Sequence, residues 1–241
     1  MSVSFAIIVP VKDEAPEVLT NLLQETYTTF KGKVDLTIVD DGSKVHCPVA
    51  SFRHEVSQGY GAALKTGIRN VSTDWIVTMD GDGQHRLRDV QRLVEFVQDF
   101  PEVDMAVGDR RLTEKSALRY WGRKGLNWLA SLFAHRFIPD LNSGLRIFRR
   151  DIFVTYDSII CDKFSFTTSL TLAMLADHRK VDYLPIRVLD RPDGKSKVNV
   201  IWDGWRTLKY ILVIGIAFNT RGIRRLVRPI TRILLGRWND R

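Results

Sequence analysis

Asp80-Gly81-Asp82-Gly83-Gln84-His85 sets two carboxylates two residues apart behind a short apolar run, and acids that close repel each other. Hard divalent cations take oxygen ligands, and Mg²⁺ is commonly held by one or two carboxylates together with substrate phosphates. A Mg²⁺ or Mn²⁺ ion shared with a diphosphate would relieve the repulsion. The alternative is a solvated turn, which Asp and Gly favour for backbone reasons alone. Asp40-Asp41-Gly42-Ser43 closes a second apolar run and is better suited to accepting hydrogen bonds from a base or a ribose than to binding phosphate. Its alternative is a helix N-cap or a tight turn.

Other patterns fail. Gly59-Tyr60-Gly61-Ala62-Ala63-Leu64-Lys65 lacks the last glycine of a dinucleotide fingerprint and follows no convincing strand. Gly194-Lys195-Ser196 mimics the end of a phosphate-binding P-loop, but Leu189 stands where its first glycine belongs. There is no GxSxG elbow, and His46, His54, His85, His135 and His178 show no paired ligand spacing.

Acids in such positions need strand ends to hold them. Residues 5–10, 36–40, 75–80 and 105–109 are short apolar runs, three of them ending in Asp, and are predicted to be buried parallel strands. Helical patterns at 16–30, 60–70 and 87–100 alternate with them, which predicts an α/β fold with a doubly wound, mostly parallel sheet. Ligands of such sheets sit at the carboxyl ends of the strands, where the aspartates fall. A longer helix is expected over about 116–137, then a strand near 145–149, a helix near 167–176 and a strand over 181–189. With no Pro-, Gly- or Ser-rich linker and no repeat, the simplest partition is one domain over 1–200 and an amphipathic helical tail over 201–241.

The chain has 241 residues, 44% hydrophobic and 27% charged, which excludes a disordered, collagenous or repeat protein. Its net charge of +8 suggests a polyanionic partner, and from Ile201 onward nine basic residues face two acids, so nearly all the excess lies in the tail. Over 222–236, Ile223, Leu226, Val227, Ile230 and Leu234 recur at helical spacing opposite Arg221, Arg225, Arg228 and Arg232, with Pro229 kinking or restarting the helix. Trp202, Trp205 and Tyr210 flank the apolar residues 211–218, a composition suited to a bilayer interface with anionic headgroups. The alternative is a helix that packs on the domain or on a second subunit. That apolar run is far shorter than the ~20 residues needed to cross a bilayer. Cys47 and Cys161 have no CxxC or ligand spacing, which suggests a reducing compartment, and the first residues lack a basic n-region, so no secretory signal is expected.

An ordered series of segments resembles the family-2 glycosyltransferases of nucleotide-diphospho-sugar transferase fold, in particular the dolichyl- and polyprenyl-phosphate sugar transferases. The series is Val9-Pro10-Val11-Lys12-Asp13-Glu14, Val39-Asp40-Asp41-Gly42-Ser43, Gly59 to Gly67, Met79 to His85, Gly108-Asp109-Arg110, Asn142-Ser143-Gly144-Leu145-Arg146 and Arg191 to Lys197. The resemblance implies that Pro10, Glu14 and Asp41 or its neighbour Asp40 hold the nucleoside, and that Asp80, Asp82 and Gln84 handle metal and diphosphate. It implies further that Arg110 meets the donor or acceptor phosphate, that Arg119 is the nearest match to an acceptor-phosphate arginine, and that Arg191 and Lys197 belong to an arm closing on the diphosphate. Arginine suits this because its planar fork binds phosphate oxygens bidentately.

The chain departs from the family pattern at Arg86, where Pro is common, and over 163–170, where many relatives carry an acid and this chain has Thr or Ser. Asp140 is then the candidate base if the acceptor is a hydroxyl. The expectation is an inverting, Mg²⁺- or Mn²⁺-dependent transferase moving a hexose from a GDP- or UDP-sugar to a polyprenyl phosphate. It would lie in the cytoplasm, peripheral on the inner face of a membrane through its basic tail, with a homo-oligomer left open. Its rivals are a family-2 enzyme acting on a sugar hydroxyl and a non-catalytic basic membrane- or nucleic-acid-binding protein. The Asp80/Asp82 pair argues against nucleic acid in the crevice, because carboxylates repel phosphates.

Overall fold

The computed structural model describes residues 3–110, 117–190 and 200–219, with side chains except at 117–120, 200–203 and 215–219. In chain order the elements are β1 (Phe5–Val11), α1 (Pro16–Phe30), β2 (Asp35–Asp40), β3 (Phe52–Arg53), α2 (Tyr60–Arg69), β4 (Trp75–Thr78), α3 (Leu87–Asp99) and β5 (Met105–Asp109). They continue with α4 (Ala117–Ala134), β6 (Arg146–Arg149), α5 (Arg150–Tyr156), α6 (Phe166–Ala176), β7 (Val181–Pro185) and α7 (Val200–Asn219). Among the described residues seven strands form one sheet in the order β3-β2-β1-β4-β6-β5-β7, and of these β6 alone is antiparallel, paired with β4 on one side and β5 on the other.

The strands are buried on both faces, and strand periodicity decides which residue goes where. Successive side chains of a strand point to opposite faces. Ala6 and Ile8 therefore join one cluster, packed under Leu64 and Ile68 of α2 and Leu170 and Met174 of α6, while Ile7, Val9 and Val11 join a second, packed under Leu19 of α1 and Val90, Leu93 and Val97 of α3. Helices cover both faces, as the doubly wound reading expects, with β3, α5 and the antiparallel direction of β6 as additions. The run expected as a strand to 189 ends at Pro185.

Helix α7 corrects the interfacial reading of Tyr210 and Ile211. Thr207, Tyr210, Ile211 and Ile214 recur at helical spacing and are buried, and α7 packs along α4 and α6. The residues from 220 onward, including the basic amphipathic segment, lie outside the described residues. Because Ile211 is fully enclosed, Ile211→Ala is expected to destabilise the fold by about 2–5 kcal/mol. Urea unfolding with an unchanged slope checks this; an unaltered midpoint would place α7 outside the cooperative core.

Candidate active site

Parallel strands bring their carboxyl ends to one edge of the sheet, and there β4 delivers Asp80. Its Oδ1 accepts a hydrogen bond from the Tyr60 hydroxyl at the start of α2 at 2.8 Å, and its Oδ2 lies 3.4 Å from Nε2 of the buried His85. The same carboxylate sits against the backbone of Gly144, where an added Cβ would collide with its oxygens and force the carboxylate to move. Burial pushes the Asp80 carboxyl up, but His85, the Tyr60 hydroxyl and the charge of Arg110 together bring it down to about 2. Burial and the charge of Asp80 raise Tyr60 well above the usual phenol range, which keeps it a donor. Asp82, two residues on, is buried, with Oδ1 accepting the Gln84 amide N–H at 3.1 Å.

Across the crevice Arg110, just after β5, grips the buried Asp140 with two nearly parallel bonds, Nε to Oδ2 at 2.8 Å and Nη2 to Oδ1 at 3.0 Å. The Arg110 amide at 3.2 Å and Arg123 at 3.9 Å lie against the same carboxylate. Burial opposes ionisation of Asp140, yet the Arg110 guanidinium outweighs it and holds the carboxyl below its ordinary value. Asn142 follows, its Oδ1 accepting the Thr168 hydroxyl of α6 at 2.6 Å. The turn between these groups is clamped by Arg146, a fully buried guanidinium that donates to the carbonyls of Leu141, Ser143 and Thr167 and to the Thr171 hydroxyl.

Asp40 and Asp41 lie at the end of β2 as expected, but their oxygens are already engaged. Asp40 accepts the Ser43 amide and hydroxyl, the Cys47 amide and Arg53; Asp41 accepts His54, the Ser57 hydroxyl and the Gln58 and Gly59 amides. A carboxylate offers about four acceptor sites, so both spend theirs building the loops beside the site. Pro10 is buried at the end of β1, and Glu14 is half-buried just beyond it. Gln84 donates its side-chain amide to the Leu189 carbonyl at 2.9 Å while its own carbonyl accepts the Leu189 amide, which fastens the chain just before the expected arm. Arg191 and Lys197 of that arm lie outside the described residues, as does the side chain of Arg119 in α4.

Tyr60, His85, Gly144 and Arg146 stand inside the quoted segments, yet type and spacing assign them no contact. Only the fold brings them to Asp80 and the 140–144 turn.

Asp40, Asp41, Asp80 and Asp140 are all held below the ordinary carboxylate value. A group depressed in the folded state adds stability that is present above its unfolded pKa and is lost as pH falls through the folded one. Stability is therefore expected to hold down to about pH 4 and to drop between there and about pH 2. Asp140→Asn should flatten that drop in an acid titration followed by circular dichroism; an identical acid limb would deny Asp140 its depressed value.

The family model described as glycosyl transferase family 2 matches residues 6–157. An uncharacterized protein of Methanocaldococcus jannaschii is 28% identical over 222 residues, 84% of this chain and 88% of that one. The undecaprenyl-phosphate mannosyltransferase of Micrococcus luteus is 25% identical over 187 residues, 68% of this chain and 76% of that one. Among solved structures, glucosyl-3-phosphoglycerate synthase of Mycobacterium tuberculosis, in complex with Mn²⁺, UDP-glucose and phosphoglyceric acid, superposes with a TM-score of 0.65 at 15% identity. It covers 88% of this chain and 79% of its own, a likeness of fold. An acidic strand end facing a clamped arginine on a doubly wound sheet is thus joined by a family match over most of the chain, which belongs to glycosyl transferase family 2 and is a glycosyltransferase.

Proposed function

We propose that the protein transfers a hexose, with inversion, from a nucleotide diphosphate sugar, GDP- or UDP-linked, to a polyprenyl phosphate at the cytosolic face of a membrane. The observation that carries this reading is the set of groups opposite Asp80. Thr168 stands on α6 within the stretch 163–170, where the family resemblance implies an acid that this chain lacks, and its hydroxyl is given to Asn142. Asp140, the nearest carboxylate of that turn, is bound to Arg110 and depressed in pKa, which makes it a poor proton acceptor. A sugar hydroxyl needs a base, whereas a phosphate acceptor is already ionised near neutrality. The mannosyltransferase relative, whose name carries an undecaprenyl phosphate, agrees with that choice.

In this reading Pro10 and Glu14 border the nucleoside, with Asp40 and Asp41 shaping the loops around it. Asp80 and Asp82 suit a divalent cation of the kind that shares its shell with a diphosphate. They are two hard oxygen donors, and the described residues offer no cluster of three or more His, Cys, Asp or Glu that would cage an ion without substrate. Mg²⁺ or Mn²⁺ there would supply charge neutralisation for the departing nucleoside diphosphate. The neighbours of Asp80 act whether or not an ion is bound: the Tyr60 hydroxyl and His85 hold the carboxylate ionised and aimed.

Arg110 offers its charge to the phosphates with Asp140 as its positioning partner, and the acceptor oxygen attacks the anomeric carbon as the bond to the diphosphate breaks with its electron pair. Gln84 sets the base of the Arg191 and Lys197 arm, and Arg119 is reserved for the acceptor phosphate. Nucleoside diphosphate release from a panel of GDP- and UDP-hexoses, with and without polyprenyl phosphate, tests the proposal. Release that depends on the lipid phosphate supports it. Equal release with a free sugar as acceptor would favour the hydroxyl-directed reading.

A further inference from the structure

His54 stands just after β3, at the edge of the sheet and three strands away from the β4 end that carries Asp80. Its ring is buried and spends both nitrogens inside the protein: Nδ1 lies 2.8 Å from Oδ1 of Asp41, and Nε2 lies 2.9 Å from the Thr66 hydroxyl on α2. Burial pushes the Asp41 carboxyl up, but the bonds from His54, Ser57, Gln58 and Gly59 outweigh it and hold the group below its ordinary value. An ionised carboxylate only accepts, so Nδ1 donates in that bond. The other donors to Asp41 are consecutive: the Ser57 hydroxyl at 2.7 Å, the Gln58 amide at 2.8 Å and the Gly59 amide at 2.9 Å. Tyr60, whose hydroxyl holds Asp80, is the next residue and the first of α2.

The far side of this turn is closed as well. Gly59, at a φ of 117°, and Gly61 press against the backbone at Cys161 and Asp162, where a Cβ on either would collide with a carbonyl oxygen. Ala62 donates its amide to the Asp162 carbonyl at 2.8 Å, Lys163 donates to the Gln58 carbonyl at 2.5 Å, and the buried Lys65 pairs with Asp162 at 2.6 Å. Backbone held on both sides fixes where the Tyr60 side chain leaves the helix. One imidazole joins the two parts of that frame, the loop through Asp41 and the helix body through Thr66.

We propose that His54 is a positioning residue for transfer: through Asp41 and the loop 57–59 it sets the start of α2, and with it the aim of the Tyr60 hydroxyl on Asp80. The proposal rests on the reading of Asp80 as the carboxylate beside the departing diphosphate. Asp41 then serves geometry and not the nucleobase, because its acceptor sites are filled by the protein's own donors. A displacement of about 1 Å at a reacting centre, caused from a distance, can cost on the order of 10²-fold in rate, which is the scale on which such a frame acts.

Two substitutions separate the ring nitrogens. The amide of Asn reaches the place of Nδ1 and keeps the bond to Asp41, whereas the longer Gln reaches that of Nε2 and loses it. His54→Gln should lower kcat by about 10- to 100-fold, with nucleoside diphosphate affinity, measured without turnover, within about twofold of wild type. His54→Asn should recover most of the loss. Amide hydrogen exchange over residues 57–60 should quicken in His54→Gln and not in His54→Asn, a readout that needs neither metal nor sugar. Tyr60→Phe should also lower kcat, and His54→Gln should add scarcely anything to it, because the two act in series. Ser57→Ala takes a donor from the same carboxylate at a less buried position and should give the same pattern in weaker form, which keeps the test open if His54→Gln fails to fold. Losses that multiply with Tyr60→Phe would overturn the proposal, and so would a loss confined to nucleotide affinity, which would return Asp41 to the nucleoside. Wild-type exchange and kcat in His54→Gln, with Asp80→Asn inactive, would remove the relay and leave the reading of Asp80 standing. Turnover that survives Asp80→Asn would remove both.

Discussion

Asp80→Asn is expected to lower kcat by on the order of 10³-fold, and Asp82→Ala to abolish transfer, because in the proposed mechanism each removes an oxygen charge from the place where the diphosphate would depart. The two substitutions differ in what they disturb. Asp80 is held at about 2 by His85, Tyr60 and Arg110 working against burial, so an amide at that position leaves three cationic or donor groups without their anion. Asn keeps the shape that Gly144 requires, which limits the damage to charge. Steady-state turnover together with nucleotide affinity, measured with and without Mn²⁺, checks both variants. Near-normal turnover of Asp82→Ala in metal-replete buffer would remove the acidic strand end from the mechanism, and a wild-type affinity indifferent to metal would count against the cation.

Arg110→Ala should cost about 10²- to 10³-fold in kcat, the loss typical of one well-placed charge stabiliser in a desolvated site. Arg110→Lys should recover little of it, since an ammonium cannot reproduce the two-pronged grip on Asp140. Asp140→Asn should also fall steeply in kcat while leaving nucleotide binding near wild type, and the double variant should be scarcely worse than either single one, because residues of one ion pair do not act additively. Additive losses would mean that Asp140 does something other than position Arg110, and a pH–rate profile with a basic residue lost only in Asp140→Asn would return it to the role of base.

Much of this is legible in the sequence itself. Apolar runs ending in aspartate gave away the parallel strands, because a strand covered on both faces has nothing but apolar residues to show, and the Asp80/Asp82 spacing marked the crevice. The antiparallel insertion of β6 was not legible, since periodicity states that a strand exists and says nothing of its partner or direction. Two-residue β3 and α5, about two turns long, are too short for a period to register. The saturation of Asp40 and Asp41 depended largely on donors between the quoted segments, Cys47, Arg53, His54, Ser57 and Gln58, a stretch with no signature of its own. Arg110 was singled out by its segment, but its partner lies 30 residues away and is brought in by the return of the chain through α4. Tyr210 and Ile211 were misread for a related reason: an aromatic and apolar helix has the same composition whether it meets lipid or the underside of another helix, and α4 and α6 supplied the latter.

In the proposed reaction the sugar ends on a phosphate oxygen of a polyprenyl chain. Phosphorus NMR of the acceptor, followed during turnover with the preferred nucleotide sugar, addresses it directly. The lipid phosphomonoester resonance, which moves with pH near neutrality, should be replaced by a phosphodiester resonance that does not, in step with release of nucleoside diphosphate. Release of nucleoside diphosphate and consumption of the sugar donor while the lipid remains a monoester would contradict it.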